Sequence, residues 1–181
     1  PLSRGRYING QLQGSQFSLT ESVGSIDITT FGGRVEANDA PSILKDTTLN
    51  SCFAGIKIKS SDYGNVSKWD VSNVTSMLNL FTYATLFNQP LNSWDVSNVT
   101  SMKGMFQVAT SFNQPINSWN VSNVTTMYAM FFESSFNQPL DSWDVGNVTD
   151  MQAMFSGAEI FNQNVGAWRM PNVVRTAGMF G

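Results

Sequence analysis

The sequence has no histidine, a single cysteine, few charges and no long apolar run, and each shortage removes a class of function. Without histidine, Ser-His and Cys-His nucleophilic systems and imidazole metal sites are excluded together. Cys52 has no partner for an internal disulfide and reads as a small apolar core residue. Charged residues are 13% of the chain, with a net charge of −3 and no Lys/Arg cluster. The electrostatic footprint of a nucleic acid or anionic membrane partner is therefore missing. No apolar run approaches the roughly 18 residues of a spanning helix, so membrane insertion is not expected. No apolar signal core follows Arg4 and Arg6 either. A penultimate proline is what remains when an initiator methionine is removed; if Pro1 is such a mature start, synthesis in a cytoplasm without a standard export signal is expected. A processed precursor or a fragment would begin the same way.

What the chain does have is a period. Trp69, Trp94, Trp119, Trp143 and Trp168 are spaced 25, 25, 24 and 25 residues apart, the mark of a stacked-repeat protein. The one missing residue falls between Phe131 and Phe136, where the equivalent stretch runs from Phe106 to Phe112, so that stretch is a loop. Within one repeat, Trp94 and Val96 alternate with Asp95 and Ser97, as in a short strand with one buried face. Val99, Met102, Met105 and Phe106 then follow at helical offsets, with Ser97 or Asn98 placed to cap a short helix. Asn113-Gln114-Pro115 breaks the chain before Ile116 starts the next coil. The expected fold is thus α/β: coils of about 25 residues, each a short parallel strand plus a short helix. A single coil buries too little to offset the entropy of ordering it, so neighbours must complete it.

At Asn88-Gln89-Pro90-Leu91-Asn92-Ser93-Trp94-Asp95-Val96-Ser97-Asn98-Val99-Thr100-Ser101-Met102, followed by Met105-Phe106, the chain resembles the BspA-like leucine-rich repeat of mycoplasma lipoproteins and bacterial surface proteins, also found in protist and viral proteins. The resemblance spans about Val66 to Phe180. It implies a right-handed leucine-rich-repeat-like solenoid used for display or adhesion, with no catalytic residue to transfer. These 181 residues lack the signal peptide, lipobox cysteine and sortase-type tail of typical surface members. That departure counts against cell-wall anchoring.

Two units are expected. Residues 1–50 form a β-rich arm in which Phe17, Leu19, Ile26 and Ile28 alternate with polar residues and Asn9-Gly10 and Gly32-Gly33 make turns. Residues 51–181 form the repeat array, with Cys52-Phe53-Ala54 as a degenerate first element and the drifted Trp168–Arg175 stretch as a cap or a truncation. The arm is too small for a secure core of its own, so docking on the array or on another subunit is expected.

Five asparagines, Asn73, Asn98, Asn123, Asn147 and Asn172, recur as a structural ladder, since a carboxamide supplies donor and acceptor to backbone groups stranded at coil corners. Asn88, Asn113, Asn137 and Asn162 form a second such column. The functional rival is N-glycosylation, because Asn65, Asn73, Asn98, Asn120, Asn123 and Asn147 each begin Asn-x-Ser/Thr; a repeated ladder motif generates these sequons by construction. Asp70, Asp95, Asn120 and Asp144 make an outward column. Asp70 and Asp95 are weak calcium candidates, because two carboxylates without a third partner are a poor site. Thr75, Thr100, Thr125 and Thr149 make a hydroxyl column at the start of the expected helices that could face ice, with helix N-terminal hydroxyls tied to backbone as the ordinary alternative.

The repeats differ most at Leu78-Asn79, Lys103-Gly104, Tyr128-Ala129 and Gln152-Ala153 and in the stretches four residues on. Tyr83, Lys103, Tyr128 and Phe132 are the candidate partner-binding residues there. The expected function is non-catalytic: a display or adhesion protein on the exterior of a larger assembly, with a virion structural or decoration protein slightly favoured. A bacterial cell-surface module, or a free glycan-, calcium- or ice-binding protein, is the alternative. No cofactor is implied. A protein partner or host-surface ligand is expected, homo-oligomers are left open, and the location is a virion or cell surface.

Overall fold

The computed structural model describes residues 6–8, 11–13, 47–55 and 66–181. Strand β1 (Arg6–Ile8) pairs antiparallel with β2 (Gln11–Gln13), Ile8 opposite Gln11. The expected Asn9-Gly10 and Gly32-Gly33 turns, the Phe17-to-Ile28 alternation and Asn65 lie outside the described residues. Strand β3 (Thr47–Thr48) pairs in parallel with β4 (Val74–Ser76). From there parallel pairing passes coil to coil through Ser76, Ser101, Thr126, Asp150 and Arg175. It thus includes Thr47, ahead of the expected boundary at 50/51.

Successive repeats lie side by side, joined by a backbone ladder. The amides of Met77, Asn79, Phe81 and Tyr83 donate to the carbonyls of Ser101, Lys103, Met105 and Gln107 at 2.9, 2.8, 2.9 and 2.8 Å. The same alternate amides of residues 102–108 reach residues 126–132, those of 127–133 reach 150–156, and those of 151–157 reach 175–181. The amides of Leu49, Ser51, Phe53 and Gly55 open the series on Ser76, Leu78, Leu80 and Thr82. Intervening amides close short turns within the coil, as when Leu80 donates to Met77 at 3.2 Å and Ala84 to Phe81 at 3.0 Å.

This corrects the expected short helix. From Val99 to Phe106 the chain makes turns, and every second amide leaves for the next coil instead of bonding four residues back. The cause is a pair of left-handed residues in each coil. Ser51, Asn79, Gly104, Ala129 and Ala153 have φ of 57, 55, 60, 51 and 55°, and Gly55, Tyr83, Val108, Glu133 and Gly157 have 71, 58, 56, 50 and 69°. A positive φ at the third residue of a four-residue turn reverses the chain where a helix would continue. The expected strand at Trp94–Val96 is corrected too. Trp94 and Val96 are buried and Asp95 is exposed, but this stretch is an unpaired link between the Leu91–Trp94 and Val96–Val99 turns, and parallel pairing lies at Ser101.

The core is a set of columns. Met77, Met102, Met127 and Met151, then Leu91, Ile116 and Leu140, are fully buried. Phe53, Phe81, Phe106, Phe131, Phe155 and Phe180 stack from coil to coil with ring centroids 5.2, 5.6, 5.7, 5.6 and 5.5 Å apart. A second phenylalanine packs against the first in each coil, Phe81 on Phe87 at 4.0 Å and Phe106 on Phe112 at 4.0 Å. Such offset stacks add to the value of the buried area. In the short coil, the Phe136 amide meets the hydroxyl of buried Ser134 at 3.4 Å, where Phe112 meets the Ala109 carbonyl at 3.1 Å. A side-chain oxygen thus takes the place of a backbone one, and the register survives.

Candidate functional site

Four polar columns that recur from coil to coil could have marked a site, and the structure shows what each is occupied with. Asn98, Asn123, Asn147 and Asn172 donate Nδ2 to the carbonyls of Ser72, Ser97, Ser122 and Gly146 in the preceding coil, at 2.8, 2.7, 2.8 and 2.7 Å. Asn73 also has a bonding partner. In the second column, Oδ1 of Asn88, Asn113 and Asn137 accepts the backbone amides of Asn113, Asn137 and Asn162 at 3.0, 2.8 and 3.1 Å. Gln114, Gln138 and Gln163 share those acceptors, which gives the proline turn its own ladder.

The threonine hydroxyls are tied to backbone as well, though not at helix starts. Thr100, Thr125 and Thr149 donate Oγ1 to the carbonyls of Thr75, Thr100 and Thr125 at 3.1, 3.0 and 3.1 Å. Four of the five indoles are anchored similarly: Nε1 of Trp94, Trp119, Trp143 and Trp168 donates to the carbonyls of Val66, Leu91, Ile116 and Leu140 at 2.8, 2.9, 3.0 and 2.9 Å.

The outward carboxylates serve local turns. Asp70 Oδ1 accepts the Ser72 hydroxyl and amide at 2.6 and 3.0 Å, and Asp95 and Asp144 accept the amides of Ser97 and Gly146 at 3.0 Å. These are Asx turns, which need only a side-chain oxygen, and Asn120 makes the same one to Ser122. The Ser72 hydroxyl and then its amide hold the Asp70 carboxyl below the usual carboxylate range. The Ser97 hydroxyl and amide do the same for Asp95, opposed by slight burial and by the charge of Asp70. Among the described residues no group of three His, Cys, Asp or Glu side chains is placed to hold a metal, and Asp70 and Asp95 gain no third acidic partner. Burial pushes the Cys52 thiol up to about 12, so it is a packed apolar group and a poor nucleophile.

Two of the variable columns reach the surface, while in the left-handed column between them Gly104 and Ala129 are buried. Leu78, Lys103, Tyr128 and Gln152 share one column, with Lys103 Nζ 4.9 Å from the centre of the Tyr128 ring. Thr82, Gln107, Phe132 and Ser156 form the next, and none of these eight residues is buried. The structure therefore brings Lys103, Tyr128 and Phe132 onto one face, with Tyr83, one coil before Lys103 and two before Phe132, in the left-handed column and 51% exposed. Leu86 and Ile160, not singled out from sequence, are exposed apolar residues at the neighbouring corner. An open depression of about 540 Å³ beside Asn117, Trp119, Asn120 and Asp144 adds no reactive pair, since Asn120 and Asp144 are held in their turns.

A family model described as "Mycoplasma protein of unknown function, DUF285" matches residues 47–135 and 132–181. The chain belongs to the DUF285 family. The DUF285 match begins at Thr47, which is also the first parallel-paired position among the described residues. No curated protein and no solved structure matches the chain significantly. No helix among the described residues is long and apolar enough to cross a membrane.

Proposed function

We propose that this DUF285 chain is a non-catalytic display or adhesion module: a right-handed, leucine-rich-repeat-like solenoid of the BspA type, carried on the outside of a larger assembly. One observation supports this most directly. The polar side chains that recur in every coil are committed to bonds between coils or within turns, while two columns that change from coil to coil, Leu78/Lys103/Tyr128/Gln152 and Thr82/Gln107/Phe132/Ser156, stay at least partly open to solvent. A scaffold built this way holds a surface constant in shape and variable in chemistry, which suits recognition of a partner. The reading surface is the face of Lys103, Tyr128 and Phe132, where aromatic rings are half-buried and so ordered before binding. The residues ahead of Thr47 would attach the array to its carrier, a virus particle or a bacterial cell surface. The Mycoplasma description of the family favours the bacterial carrier.

The test is capture of the intact chain by candidate carrier surfaces, bacterial envelopes and virus particles separately, with the Tyr128→Ser/Phe132→Ser double variant alongside. Retention by one surface, lost in the double variant while near-UV circular dichroism holds, supports the reading. Equal retention of both chains, or loss of retention on adding a chelator, overturns it in favour of a different face or of an ion-dependent binder.

A further inference from the structure

We draw no further inference here: the strongest candidate, the outer edge of the last coil where Met170, Val174 and Phe180 are exposed, carries nothing because nothing in the structure shows what covers it.

Discussion

The indole Nε1 of Trp119 donates to the carbonyl of Leu91 at 2.9 Å, and that same carbonyl accepts the Trp94 amide at 3.0 Å. One buried oxygen thus closes a turn in its own coil and fastens the next coil to it. The pairing recurs at Ile116, which accepts the Trp119 amide and the Trp143 indole at 3.1 and 3.0 Å. Trp119→Phe keeps an aromatic ring but removes the donor and part of the buried area. It should cost about 2 kcal/mol, read as a lower urea midpoint at unchanged slope.

The exposed asparagines should matter more than their exposure suggests. Asn123→Ala removes the bond to Ser97, and its expected cost is about 1 kcal/mol. Asn123→Asp should be worse above pH 5, because a carboxylate placed against a carbonyl oxygen can only repel it. A surface site of no structural importance would show neither effect in thermal unfolding.

The left-handed positions make a sharper comparison. Gly104→Ala would set a Cβ against Asn79 Oδ1 as well as forcing alanine into a positive φ, whereas a Cβ at Gly178 meets nothing within 4 Å. The φ cost alone is about 1 kcal/mol, as Ala129 and Ala153 already bear it in the same column. Gly104→Ala should therefore destabilise clearly more than Gly178→Ala in chemical denaturation. Equal losses would mean that the Asn79 contact does not form.

Acid should loosen the stack slightly. Asp70 and Asp95 are held below their ordinary range when folded, so the stability they add is present above the unfolded carboxylate pKa of about 4. It is lost as pH falls through their lower folded values. Both are exposed, so the effect is small. Asp95→Asn keeps the Oδ1 acceptor, as Asn120 does naturally, and should flatten this part of the pH–stability curve without lowering the midpoint at pH 7.

Much of this was legible in the sequence, and what was not has a physical reason. The tryptophan period placed the coils, and alternation marked Trp94 and Val96 as inward and Asp95 as outward. Spacing misled at Val99, Met102, Met105 and Phe106. Buried positions three and four apart suit a helix, and they also suit a string of four-residue turns in which every second amide bonds sideways. Asn79 and Gly104, residue types at ease with positive φ, were the signal for turns, but Ala129 and Ala153 in the same column masked it. The Lys103–Tyr128 contact was legible only once the coils were in register, because the two residues are a full repeat apart.

The central claim is that coils are held by their neighbours and that none is stable alone. The most direct measurement is far-UV circular dichroism and amide exchange on a peptide of residues 94–118 beside the intact chain. The account predicts an unordered spectrum and unprotected amides in the peptide, with the amides of Gly104, Phe106 and Val108 protected in the chain. A peptide with chain-like signal and protected amides would contradict it.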